Sequence, residues 1–324
     1  MTSDGDGVTA RIDPWFVLEI TPRCNSGCVY CYNVWHGGPM PAESGTDRLV
    51  DLFRKLGSET RIAGVTLAGG EPLLSPSTAP LARHLASMDI PVGIVTNGIL
   101  LDGSTARELS GSGVRYFEIS MPAASADTGI TLTGSDIGAR ARSAVISARP
   151  YASRLTVSTV LTELSADETV DVAGIAWSLS ADAFYLNRFV PGGRGAASRS
   201  RLEPSRSTLV RVLDGLDRFS GETGFPVFTG IPVEPCAMPR DRWPNIGFGP
   251  CVCGTVKWVI DPRGRLRTCE QSPVVLGDLF TEAFPDLAGS DAVLEFRSSG
   301  LRGDQCRSCP DLPACGGGCR FLID

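Results

Sequence analysis

The chain has 324 residues, a formal net charge of −6 and a sequence pI near 5.1, which argues against a nucleic-acid partner and suits a cationic one. It is long enough to bury a large core beside a smaller unit, and no run of about 18 apolar residues exists, so no membrane span is expected. Residues Met1–Ala10 lack the charged-then-apolar pattern of an export signal. Eleven cysteines in such a chain point to metal or cluster ligation in a reducing cytoplasm, not to disulfides.

Apolar, β-branched runs predict strands over Trp15–Thr21, Ile62–Ala68, Pro91–Thr96, Arg115–Met121, Arg154–Leu161 and Asp182–Val190. Helical patterns fall between and after them, over Thr46–Leu56, Thr78–Met88, Ser104–Ser110, Asp136–Ala148, Asp167–Leu179 and Ser205–Phe219. Six β/α units in a row predict an α/β fold, a parallel sheet with its helices outside. From Ile231 onward the chain turns Pro-, Gly- and Cys-rich. There a strand over Lys257–Asp261, a turn at Pro262–Gly264 and a second strand ending at Cys269 predict a hairpin with cysteines beside each end. The expected organisation is a flexible segment 1–14, a unit over 15–222 and a Cys-rich unit over 223–324.

The chemistry-bearing residues lie just past the strands. After the first strand comes Thr21-Pro22-Arg23-Cys24-Asn25-Ser26-Gly27-Cys28-Val29-Tyr30-Cys31, three thiols on one short loop. Four-cysteine zinc and iron–sulfur sites use one ligand more, so a cluster held here keeps an open iron; a zinc loop lacking a ligand is the plainer alternative. The second strand runs into Gly69-Gly70-Glu71-Pro72. Its glycines let backbone approach a ligand, and a carboxylate or carbonyl there can accept from an ammonium; an ordinary turn would read the same.

This C-x3-C-x2-C loop followed by Gly-Gly-Glu-Pro resembles the radical S-adenosylmethionine (SAM) superfamily. The resemblance implies a partial (β/α)6 barrel and a 4Fe–4S cluster on Cys24, Cys28 and Cys31. In that family SAM chelates the open iron, and one electron cleaves it to a 5′-deoxyadenosyl radical. Tyr30 fits the family's loop, and Gly69, Gly70, Glu71 and Pro72 would line the methionine end of SAM. Thr96 and Asn97, at the third strand tip, and Ser120, at the fourth, would face its ribose and amino-acid parts. The acidic residue often found two positions after that serine is Pro122 here. Arg188, in Asn187-Arg188-Phe189-Val190-Pro191-Gly192-Gly193-Arg194, is the expected partner of the SAM carboxylate because guanidinium matches carboxylate bidentately; Arg194 is the runner-up. A reducing donor such as flavodoxin or ferredoxin is the implied partner.

The remaining cysteines resemble the SPASM extension of that superfamily, which holds one or two auxiliary 4Fe–4S clusters. Carried over position by position, Cys251, Cys269 and Cys319 match an inner cluster and Cys306, Cys309 and Cys315 an outer one, while Cys236 could complete the inner set. The chain stops five residues after Cys319, without the pattern's last cysteine, leaving Cys253 or Asp324 as the outer cluster's fourth ligand. Zinc is the alternative occupant. If one thiol is surplus, Cys253 is the candidate catalytic hydrogen donor to a substrate radical, giving epimerisation; a complete auxiliary cluster favours two-electron oxidation instead. His36 and His84 are not expected to be catalytic.

The substrate is the least determined part. The first strand begins by Trp15, which leaves no room before it for a peptide-recognition domain. A small polar, sugar-derived or aminoglycoside-like molecule is therefore favoured. A ribosomally made peptide with a separate recognition protein is the alternative. A zinc-binding interaction module is the non-enzyme reading, distinguished by colour and metal.

Overall fold

The computed structural model describes residues 13–35, 40–299, 301 and 303–322. His36, Asp324 and the N-terminal segment before residue 13 lie outside them. Seven strands in chain order, β1 Trp15–Thr21, β2 Gly64–Gly69, β3 Val92–Thr96, β4 Val114–Ser120, β5 Arg154–Leu161, β6 Ala183–Arg188 and β7 Val227–Thr229, pair in parallel with their neighbours. Between them run α1 Thr46–Glu59, α2 Thr78–Ser87, α3 Gly103–Gly111, α4 Ala126–Thr133, α5 Ile137–Ala148, α6 Thr169–Ser178, the short α7 Gly193–Ala196 and α8 Arg199–Leu202, and the long α9 Arg206–Thr223. This is the expected α/β fold, with all six predicted strands present.

Alternation along the strands sorts side chains to two faces. Phe16, Leu18 and Ile20 of β1, Val65 and Leu67 of β2, Phe117 and Ile119 of β4, and Phe184 and Leu186 of β6 join one buried core with the helices. The helices supply matching stripes, such as Leu49, Leu52, Phe53 and Leu56 of α1. Many of the alternate positions, on the opposite face, are polar or aromatic. Trp15, Thr66, Gly93, Tyr116, Glu118, Thr156 and Tyr185 line a cavity there of about 290 Å³.

Two features differ from the sequence expectation. The hairpin strands β9 Lys257–Ile260 and β10 Arg265–Arg267 do not stand apart: β9 pairs in parallel with β1, Trp15 opposite Lys257 and Leu18 opposite Ile260. With β8 Ile246–Phe248 on β7 and β11 Gly277–Asp278 on β10, one eleven-stranded sheet runs through both expected units. The free edge of β1 in an open barrel offers unpaired backbone groups, and the hairpin satisfies them. The second difference is α4, which the sequence reading omits. Ser125 caps it by accepting from Thr128 N, and Glu168 accepts from Ala124 N, Ser125 N and the hydroxyls of Ser125 and Thr128. Among the described residues no helix is long and apolar enough to cross a membrane.

Candidate active site

The three-cysteine loop leaves the C-terminal end of β1 and is pinned from both sides. Gly27 N and Val29 N donate to Thr133 O and Leu132 O at the end of α4, at 3.0 and 2.8 Å. Gly195 N of α7 donates to Cys31 O at 3.1 Å, and Arg194 Nη1 to Cys28 O at 3.3 Å. Tyr30 packs on the apolar cluster of Leu132, Phe189 and Leu202 beneath the loop. This bracing explains what α4 does, and its Ser125 cap with left-handed Gly134 at the far end was the legible signal for it.

The thiols themselves suit a metal cluster. Burial pushes Cys24 up and Cys31 up to about 11, so only a bound cation would favour their thiolates at neutral pH. Backbone N–H groups of Ser26 and Asn33 point at Cys24 and Cys31 respectively and favour the charged form. Asn97 Nδ2 reaches Cys24 Sγ at 3.9 Å and Asn25 Oδ1 at 2.8 Å, joining the tip of β3 to the loop.

The wall beside the loop is backbone. Gly69 has φ +124°, and a Cβ on Gly70 would lie 2.1 Å from Arg23 O, so no side chain fits there. Gly70 N donates to Thr21 O and Glu71 N to Arg23 O, at 2.8 and 2.7 Å. Pro72 opens a short 3-10 turn that Glu71 caps through Leu73 N. The Glu71 carboxylate is fully buried and already engaged: it accepts from Thr96 Oγ1 at 2.7 Å and Asn97 N at 2.8 Å. Burial raises its pKa against those bonds. Of the two acceptors expected for an ammonium, the carboxylate is spent on holding the β3 tip. Ser120 ends β4 opposite Ser158 of β5.

Arg188 ends β6, where its Nη1 donates to Pro232 O at 2.8 Å and Glu234 Oε2 at 2.9 Å. Arg194, the runner-up, lies against the cysteine loop.

Cys251, Cys253 and Cys269 gather at the hairpin. The thiols of Cys253 and Cys269 and the Glu270 carboxylate lie within 4.8 Å of one another. Cys251 hydrogen-bonds Cys253, and Cys319 lies within electrostatic reach of Cys251. The Cys253 thiol, and then burial, hold Cys251 far up. Cys253 is pushed up to about 12, its bond with Cys251 working against the bond with Cys269 and burial. Cys236 is exposed, Cys306 and Cys309 half-buried, and Cys315 buried.

One buried link joins the two cysteine regions. Glu19 of β1 accepts from Trp35 Nε1 at 2.9 Å, four residues past Cys31, and from Arg267 Nη2, two residues before Cys269. Sequence reading did not single out Glu19, Trp35 or Arg267, because their meeting requires β9 and β10 to dock on β1. Across the concave face, Lys257 pairs with Glu270 at 3.0 Å.

The family described as the radical SAM superfamily matches residues 18–146, and the SPASM iron–sulfur cluster-binding domain matches residues 251–310. Together they span more than half of the chain. The mycofactocin maturase MftC of Mycobacterium ulcerans is 28% identical over 310 residues, covering 93% of this chain and 81% of that protein. The PqqA peptide cyclase of Streptomyces rochei is 24% identical over 317 residues, covering 94% and 83%. Among solved structures, Streptococcus suis SuiB bound to its precursor peptide SuiA superposes with a TM-score of 0.76 at 16% identity, covering 95% of this chain and 72% of that one. A loop of three thiols braced beside a glycine-only wall, with a second thiol group at the hairpin, is what SAM and iron–sulfur clusters require of a protein. The chain belongs to the radical SAM superfamily, carries a C-terminal SPASM domain, and has SAM and 4Fe–4S clusters as its cofactors.

Proposed function

We propose that this radical SAM enzyme modifies a peptide, and that the reaction is a two-electron oxidation at an unactivated carbon. The curated relatives are a maturase and peptide cyclases, and the structural neighbour SuiB is seen with its precursor peptide bound. These relatives favour the peptide over the small sugar-derived substrate, which the sequence favoured from the position of the first strand and a mild net charge of −6.

When bound, the clusters and SAM supply a carbon-centred radical that takes a hydrogen atom from substrate, and an electron sink. The chain's residues do the rest. Cys24, Cys28 and Cys31 would hold the SAM-binding cluster on a loop fixed by Thr133, Leu132 and Gly195. Gly69 and Gly70 let this segment pack directly on the backbone of Thr21 and Arg23, and Glu71 holds Thr96 and Asn97, whose amide reaches the loop. With the Glu71 carboxylate engaged, backbone carbonyls of this segment would be left as acceptors for the SAM ammonium. Tyr30 supports the loop from beneath through its apolar contacts, and Ser120 offers a hydroxyl at the β4 tip.

The observation that carries the oxidative reading is the placement of Cys253. Its thiol lies with those of Cys251 and Cys269, with Cys319 near, so these four form the inner auxiliary ligand set. Cys236, exposed, is then the surplus thiol, and Cys306, Cys309 and Cys315 serve the outer site. A Cys253 committed to a cluster cannot donate hydrogen, which removes it as the donor that an epimerisation would use.

The test uses the reconstituted enzyme, SAM, a reductant and short precursor peptides encoded near its gene. Mass spectrometry should find product lighter by about 2 Da, the loss of two hydrogens. Unchanged mass with solvent deuterium at the reacting carbon would favour epimerisation. Turnover of an aminoglycoside in place of peptides would restore the first substrate reading.

A further inference from the structure

Arg188 was expected at the SAM carboxylate, yet its contacts run to the segment of Pro232 and Glu234, which in turn meets the C-terminal tail. Its Nη1 donates to Glu234 Oε2 at 2.9 Å and to Pro232 O at 2.8 Å. The other Glu234 oxygen, Oε1, accepts from the backbone N–H of Cys319 at 3.4 Å. Both side chains are withdrawn from solvent, 19% exposed for Arg188 and 7% for Glu234. The approach is close: a Cβ on Gly318, whose φ is +81°, would lie 2.6 Å from Glu234 Cγ. Glu234 itself caps a turn, accepting from Ala237 N and Met238 N through its carbonyl. The Cys319 sulfur feels Cys251, Arg188 and Glu234 together.

We infer that Arg188 and Glu234 form a charge-balanced pair that orients Cys319 and sets the electrostatic environment of the auxiliary cluster, and that Arg188 is not a clamp for the SAM carboxylate. The inference rests on the inner ligand set proposed above, through Cys319. Glu234 is a positioning residue: it touches a ligand's backbone, and partners of this kind fix ligand geometry and tune the metal. With both charges present the pair adds no net charge beside the cluster. Removing either one leaves the other unbalanced in a poorly solvated place, where charges act strongly. Glu234→Gln keeps the acceptor for Cys319 N and leaves Arg188 positive, which favours the reduced cluster. Arg188→Met leaves Glu234 negative, which favours the oxidised one.

The experiment is an EPR-monitored redox titration of the auxiliary signal in the reconstituted full chain, with iron counted and SAM affinity measured beside it. The midpoint potential should rise in Glu234→Gln, fall in Arg188→Met and return toward wild type in the double variant, while SAM affinity in Arg188→Met stays near wild type. Shifts of the same sign in both single variants, or none, overturn the inference. So does a loss of SAM affinity of about tenfold or more in Arg188→Met, the size expected for a charge-assisted contact. If a single variant loses auxiliary iron, the double variant decides: restored iron and potential support charge balance, and loss in all three overturns it. Wild-type protein with no auxiliary signal would sink the ligand set itself, a separate result from any of these.

Discussion

Arg267→Met is the most informative single change for the way the two cysteine regions are joined. Arg267 is fully buried, and Glu19 is 2% exposed. The Glu19 carboxylate is held by Arg267 and by Trp35 Nε1. The Arg267 guanidinium also donates to Ser272 O at 2.9 Å and Glu270 O at 3.3 Å, and it stacks over Trp35 with 5.3 Å to the ring centroid. Methionine fills much of the volume but leaves Glu19 as an uncompensated buried charge, which costs about 3–5 kcal/mol. At about 2–4 °C per kcal/mol, the fall in Tm is on the order of 6–20 °C. Thermal unfolding read by circular dichroism measures it. Glu19→Gln combined with Arg267→Met should recover a large part, because no charge then remains to strand.

The pH dependence gives a second reading of the same variant. Burial raises the Glu19 pKa above its usual value, and Arg267 is the largest influence lowering it. Without Arg267 that pKa rises further, so the folded variant binds a proton that the unfolded chain has already released. Stability therefore falls as pH rises from the unfolded carboxylate's range through the folded pKa. The deficit against wild type should be small near pH 4.5 and full once Glu19 is ionised. A Tm within a degree or so of wild type, or a deficit that grows toward acid, would refute the reasoning.

Three further outcomes are expected. Replacing Cys24, Cys28 and Cys31 by alanine should abolish 5′-deoxyadenosine formation while auxiliary iron remains, at about four irons per cluster; reductive SAM cleavage by that variant would contradict the assignment. In the same background Cys253→Ala should lower the iron count or change the auxiliary EPR signal, whereas Cys236→Ala should leave both unchanged; the reverse pattern makes Cys236 the ligand. Gly70→Ala puts a Cβ 2.1 Å from Arg23 O, so backbone must move at the cost of about 1–3 kcal/mol; SAM affinity, followed by equilibrium binding, should drop, and unchanged affinity would show that the segment is not part of the SAM wall.

The sequence by itself determined the repeating α/β units, the three-thiol loop and its glycine neighbour, because each is written locally. Strand periodicity needs only residues two apart, and a C-x3-C-x2-C loop places its ligands within eight residues. Glu71, Thr96 and Asn97 were legible as strand-tip residues, but their mutual hydrogen bonds were not. Tertiary structure decided what depends on distant pairing. Docking of β9 on β1 brought Arg267 to Glu19 across 248 positions, and the tail's fold brought Cys319 to Glu234 across 85. It also paired Arg188 with Glu234 and set the Cys253 thiol beside that of Cys269. A buried charge must find its counter-charge wherever the chain puts one, and no local spacing records where that will be.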